Sequence, residues 1–223
     1  MAADGDQKQL TDYPRPSVAV DVAVLTVRAN ALHVVTVPSP RGLALPGTFL
    51  HPGERLADAA DRALSTKADL HGLEFHQIGM FDDPERDERG WVLSMAHTAV
   101  VPVEILTDAV DLVKLTETTT SEPLAFDHGA MVKLAVDDVR QRYGRAVDPA
   151  LLLGNYFTLL ELRRLYEVVY GKTLPKDTFR RQVAGSVAGT NTTSTAGGGR
   201  PAELYRRKAR ATLPESASAF FRS

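Results

Sequence analysis

Residues 18–27 are apolar and rich in β-branched side chains, a pattern that predicts a buried strand. A similar run at 31–37 predicts its neighbour, with residues 28–30 as the turn, and a short loop holding Pro38, Pro40 and Gly42 follows. From Arg55 to Lys67 the spacing becomes helical, with Leu56, Ala60, Ala63 and Leu64 on one face. Two further strands are expected at 75–81 and 91–101, and a closing helix at 127–143. Strands in sequence with one helix between them and one after them make an α/β sandwich. Residues 107–111, 116–122 and 185–199 predict low order.

A second organisation begins beyond residue 150. Thr158 is a good N-cap with Glu161 three residues on, and Leu159, Leu162, Leu165, Tyr166 and Val169 follow at helical spacing until Gly171. A short turn at 172–175 then sets up a helix over 176–183, in which Phe179 and Val183 anchor the core and Lys176, Thr178, Arg181 and Gln182 point mostly outward. Beyond it, residues 184–199 are dominated by Gly, Ser, Thr and Ala, and 201–206 reads as a strand. This is the layout of a winged helix-turn-helix, which places its second helix in the major groove, where Arg reads guanine and Gln reads adenine. Arg180, Arg200, Arg206 and Arg207 are then expected to serve phosphates, which take half or more of protein–DNA hydrogen bonds. For 185–199 itself, a disordered linker to a basic tail is the competing reading.

Charge sharpens the division. The 223-residue chain carries a formal net charge of only −2, but residues 1–150 hold 14 Lys or Arg against 23 Asp or Glu, whereas 151–223 hold 12 against 5. A basic unit attached to an acidic one is the electrostatic footprint of a nucleic-acid-binding module, although a solvated basic face has the same composition. The absence of cysteine excludes disulfides and thiolate chemistry. The six histidines include no pair at i, i+4, so no metal site is expected. No apolar run approaches the roughly 20 residues of a membrane span, and the polar start of the chain makes the cytoplasm the expected location.

The helix at 55–67 lies within a damaged motif. Residues 47–70 resemble a Nudix box, with Glu54 as its first glutamate, Arg62 as its arginine, and Leu64 and Leu70 at its apolar positions. Where the box has three further glutamates the chain has Ala63, Thr66 and Lys67. Those positions are related as i, i+3 and i+4 and share one helix face, so in the box they gather carboxylates for a hard cation such as Mg2+. Thr48 and Asp69 replace two glycines of the pattern. An ordinary amphipathic surface helix would also fit this segment taken alone.

Four other stretches occur in the right order for one family. Residues 81–90 resemble the segment after the box in ADP-ribose pyrophosphatases; the others are 124–128, the group 157–167, 179–181 and 199–206, and 13–17 near the start. Together they resemble the NrtR family, the Nudix-related transcriptional regulators of NAD metabolism, over residues 13–208. The resemblance implies an α+β chain: a Nudix-like α/β/α sandwich followed by a C-terminal winged helix-turn-helix domain. The expected division is a disordered 1–12, a sensor domain at 13–150, the DNA-binding domain at 151–208 and a tail at 209–223.

The resemblance further implies a homodimer on a pseudo-palindromic operator in double-stranded DNA, repressing NAD biosynthesis or salvage genes, with an ADP-ribose-like metabolite as effector and no cofactor. Candidate effector contacts are Arg41, Phe49, Glu54, Lys67, Asp87 and Arg89. Phe49 would stack on a base, Arg89 would pair with a diphosphate, and Lys67 would put a positive charge where the enzymes hold Mg2+. Asp87 and Arg89 could equally form a surface ion pair. Catalytic residues are expected to be lost, and the alternatives are an active ADP-ribose pyrophosphatase with an appended DNA-binding domain or a protein-binding adaptor with a basic tail.

Overall fold

The computed structural model describes residues 8–194 and 201–222. Its first part is a mixed sheet of eight strands: β1 (Ser17–Arg28), β2 (Ala31–Ser39), β3 (Gly42–Ala44), β4 (Gly47–Phe49), β5 (His76–Phe81), β6 (Val92–Val100), β7 (Asp111–Thr116) and β8 (Thr119–Thr120). The order is β5-β6-β1-β2-β7-β8, with β3 on β2 and β4 on β1; β1 and β6 are parallel, and the other pairs are antiparallel.

Helices α1 (Leu56–Ala68) and α2 (His128–Tyr143) cover opposite faces. On β1, Val20, Val22 and Val24 pack with Ala59, Ala60, Leu64 and Ala68 of α1. The alternate residues Ala23 and Leu25 pack with Met131, Val132, Ala135 and Val136 of α2. A strand buried on both faces is apolar throughout, which is why residues 18–27 show no alternation. The short side chains along α1 let its backbone lie close to the sheet. Its end is set by Asp69, a left-handed C-cap at φ 51° in place of the glycine usual there.

The second part comprises β9 (Phe157–Thr158), α3 (Leu159–Tyr170), α4 (Lys176–Val183), β10 (Val187–Ser194), β11 (Ala202–Arg207) and α5 (Glu215–Arg222). The capping box at Thr158 forms: Thr158 N–H donates to the Glu161 carboxylate at 2.7 Å, and Glu161 N–H donates to Thr158 Oγ1 at 3.1 Å. Strands β9, β10 and β11 make an antiparallel sheet, so β10 and β11 are the two sides of the wing.

Three expectations need correction. Residues 187–194 are a strand paired to β11 rather than a disordered linker, and residues 111–120 hold the small β7–β8 hairpin. The predicted tail contains α5, whose Phe221 is fully buried against Tyr166, with ring centroids 4.7 Å apart. Residues 107–110 hold no strand or helix; residues 195–199 lie outside the described residues, as does most of the N-terminus, within which Leu10–Asp12 form a 3-10 turn.

The two parts share one continuous core, because Tyr143 on α2 and Tyr166 on α3 meet edge to face at 5.5 Å. Tyr166 Oη shares its one proton between the carbonyls of Tyr143 and Ala146, both at 3.0 Å, and Tyr170 Oη donates to the Arg140 carbonyl at 2.6 Å. Among the described residues, no helix is long and apolar enough to cross a membrane.

Candidate effector cavity and nucleic-acid interface

A cavity of about 330 Å³ opens where β1, β4, the start of α2 and the 86–89 loop converge. Its floor holds Asp21, a carboxylate in the middle of the most buried strand. Ser94 Oγ donates to Asp21 Oδ2 at 2.6 Å, and His128 Nε2 faces Oδ1 at 3.4 Å. Leu45 N–H donates to His128 Nδ1 at 2.9 Å, which leaves the ring proton on Nε2, directed at Asp21. Burial pushes the Asp21 carboxyl up, but His128, Ser94 and the charge of Arg86 outweigh it and hold the group below its ordinary value. Gly47 makes room for this arrangement: a Cβ there would lie 1.9 Å from Asp21 Oδ1.

Two guanidinium groups frame the cavity. Arg86, with a side chain only 5% exposed, forms a fork with Asp127 at 2.8 and 2.7 Å. Arg89 engages Asp87 with both Nε and Nη2, and this contact holds Asp87 down to about 2. At the mouth, Arg89 lies over the rings of Phe49, at 5.4 Å, and Phe126, at 5.7 Å, while Arg41 lies over Phe126 at 4.7 Å. Cationic groups beside flat apolar rings suit a ligand with anionic and aromatic parts.

Of the sequence candidates, Phe49, Lys67, Asp87 and Arg89 line the cavity, and Arg41 joins them through Phe126. Glu54 does not line it. Both of its oxygens are taken by Arg62, at 2.8 Å each, and His51 N–H adds a further bond. Arg62 in turn bonds Thr48 Oγ1 and the Phe49 carbonyl, so the surviving box residues fix the loop that presents Phe49. Sequence reasoning missed Asp21, Arg86, Phe126 and His128. The available signal was a carboxylate inside an apolar strand, since an ionised group is seldom buried without partners.

The described part of the second unit exposes Lys176, Arg180 and Arg181 on α4 and Arg206 on β11. Thr178 and Gln182 are half-buried; Thr178 Oγ1 accepts from Arg181 Nη2 at 3.2 Å, and Gln182 Oε1 accepts from Ser216 Oγ at 3.0 Å. Arg200 lies outside the described residues. Arg207, expected on phosphate, points inward to the buried Asp148 and over the Phe157 ring. Adjacent strand residues face opposite sides of a sheet, so Arg207 points away from the exposed Arg206, on the side where Asp148 holds it.

A two-helix-covered mixed sheet carrying a Nudix-like box helix, continued into a winged helix with a basic exposed face, defines a Nudix-like chain with a DNA-binding type of module. The family model for the NrtR DNA-binding winged helix domain matches residues 149–207. The ADPR responsive transcriptional repressor NtrR of Acinetobacter baylyi is 30% identical over 214 residues, covering 90% of this chain and 85% of the repressor. The crystal structure of Shewanella oneidensis NrtR complexed with a 27mer DNA superposes with TM-score 0.70 at 27% identity, covering 91% of this chain and 96% of that one. The chain belongs to the NrtR family. An ADP-ribose pyrophosphatase of Methanocaldococcus jannaschii is also similar, 29% identical over 132 residues, covering 57% of this chain and 78% of the enzyme.

Proposed function

We propose that this chain is a DNA-binding transcriptional repressor of NAD biosynthesis or salvage genes, and that its Nudix-like domain binds ADP-ribose or a related NAD metabolite without hydrolysing it. The observation that carries this reading is the exposure of Lys176, Arg180 and Arg181 on α4 and of Arg206 on the wing, in a chain that also holds a cavity framed by Arg86, Arg89 and aromatic rings. Similarity to the Acinetobacter repressor over most of both chains supports it. A single α4 reads one half-site, and the proposal includes a homodimer on a pseudo-palindromic operator.

Loss of hydrolysis rests on the box helix. Ala63 is fully buried, Thr66 spends its hydroxyl on the Arg62 carbonyl at 2.6 Å, and Lys67 is a cation. Ala63 and Lys67 offer no oxygen and Thr66 only one neutral hydroxyl, too little for Mg2+, which needs oxygen ligands in near-octahedral array. Among the described residues no group of three or more His, Cys, Asp or Glu could hold a metal ion.

Helix α2 offers a physical route between the two sites. Its first residue, His128, touches the cavity floor, and its last, Tyr143, lies in the core shared with α3. An effector releases DNA only to the extent that it binds the DNA-competent and released geometries with different affinity.

The test is a gel shift on DNA upstream of this gene and of NAD-synthesis genes, titrated with ADP-ribose, alongside chromatography of ADP-ribose incubated with the protein and Mg2+. The reading expects a sequence-specific shift, release by the nucleotide, and ADP-ribose recovered intact. Turnover would instead establish an active pyrophosphatase with an appended DNA-binding domain, which the likeness to the Methanocaldococcus enzyme favours. A shift that vanishes against nonspecific competitor would leave an adaptor with a basic face.

A further inference from the structure

We propose that Lys67 supplies the charge with which this cavity holds a diphosphate, so that ligand binding requires no divalent cation. The inference rests on the reading of the cavity as a nucleotide site and adds how its anionic part is held. Five ionisable side chains other than histidine line the cavity: Asp21, Asp87, Arg86, Arg89 and Lys67. Four of them are matched by an opposite charge or a dedicated hydrogen bond. Asp87 holds Arg89, Asp127 holds Arg86, and Ser94 and His128 hold Asp21.

Lys67 differs. Its Nζ donates to the carbonyl of Gly47, a neutral acceptor, and no carboxylate lies within ion-pair distance of it among the described residues. An ammonium has three donors, so this contact leaves two for an incoming anion. Of the three cations in the lining, Lys67 is the one without a carboxylate partner among the described residues.

A cation-bridged alternative lacks ligands. On α1 the face that carries Lys67 offers only the buried methyl of Ala63 and the engaged hydroxyl of Thr66, and Glu54 is fully occupied by Arg62 and His51. A divalent ion placed there would be repelled by the ammonium. Lys67 sits at the end of a flexible four-carbon stem, so it can turn from the Gly47 carbonyl to a phosphate oxygen without backbone movement.

The experiment is calorimetry of the full chain with ADP-ribose, once in EDTA and once in Mg2+, on the wild type and on Lys67→Ala, Lys67→Arg and Lys67→Glu, with thermal melts to establish that each variant folds. Equal wild-type affinity in both buffers is expected, with a loss of roughly tenfold or more in Lys67→Ala, the factor that about 1.4 kcal/mol makes. Lys67→Arg should retain most of the affinity, and Lys67→Glu should bind more weakly than Lys67→Ala in EDTA. Wild-type binding that disappears in EDTA and returns with Mg2+ would overturn the inference, as would an unchanged affinity in Lys67→Ala. A wild type that binds ADP-ribose in neither buffer would overturn the nucleotide reading of the cavity and, with it, this assignment.

Discussion

The guanidinium of Arg207 on the return strand of the wing lies against the carboxylate of Asp148, which is fully buried at the end of the cavity-bearing unit. Asp148 also accepts from Tyr143 Oη at 2.8 Å and from the backbone N–H of Leu152 and Leu153 at 3.0 Å each. One carboxylate thus ties together the end of α2, the connecting loop and the wing. Removing one partner of a buried pair strands the other charge, so Arg207→Ala should destabilise the protein by about 3–5 kcal/mol, read as a lowered urea midpoint. Its neighbour behaves differently. Arg206 is exposed, so Arg206→Ala should change stability by no more than about 0.5 kcal/mol, while weakening DNA binding and reducing the slope of log affinity against log salt by about one.

Phe221 makes the C-terminal helix part of the DNA-binding unit. Its ring lies 4.7 Å from Tyr166, 5.3 Å from Tyr170 and 6.0 Å from Phe179, the residue that anchors α4. Phe221→Ala should cost about 3–5 kcal/mol of stability. Because Phe179 loses a neighbour, DNA affinity should fall along with the melting temperature. A chain truncated after residue 208 that melted at the wild-type temperature would show that α5 contributes nothing to this unit.

Legibility from sequence followed the reach of each signal. The capping box at Thr158, the helix over 176–183 and the strand over 18–27 were all readable, because each leaves its residue pattern within one short stretch of sequence. Helix α5 was not: its only buried residues are Ala217 and Phe221, so its amphipathic pattern spans barely one turn and depends on an aromatic cluster supplied by α3 and α4. In the cavity, Phe49 and Lys67 could be placed from the box, and Asp87 and Arg89 from the 81–90 stretch that resembles the segment after it. Asp21, Arg86 and His128 come together only through the pairing of β1 with β4 and β6 and the docking of α2, which no local pattern encodes. The inward turn of Arg207 failed for the same reason, since its partner lies 59 residues away in sequence.

Asp69 occupies a left-handed conformation, φ 51° and ψ 39°, at the end of α1. The helix still ends as a glycine-capped helix would, with Asp69 N–H donating to the Leu64 carbonyl, but a side chain is held where glycine has no steric cost. Its hydrogen bond with His71, at 3.2 Å, is exposed at both ends and adds little. Asp69→Gly should therefore raise stability, by up to about 1 kcal/mol after the greater freedom of glycine in the unfolded chain is subtracted. An increased melting temperature with unchanged ADP-ribose affinity is the expected result. A decrease would mean that the Asp69 side chain stabilises the cap by more than its backbone strain costs.

The Glu54–Arg62 pair predicts a pH dependence with a definite sign. Hydrogen bonding to Arg62, reinforced by His51 N–H, holds Glu54 down to about 2, against an ordinary value of 4.5. A carboxyl whose value is depressed in the folded state stabilises that state fully above its unfolded value, and the contribution is lost as pH falls towards the folded one. The pair should therefore be at full strength at neutral pH and fade between about pH 4.5 and 2. In Glu54→Gln the titrating group is gone, so the melting-temperature gap between wild type and variant should be widest near neutrality and should close across that window. Asp87 also titrates there, but it is common to both proteins and cancels in the difference. A melting gap that stayed constant from pH 7 to pH 2 would show that the charge on Glu54 contributes nothing to holding the box loop.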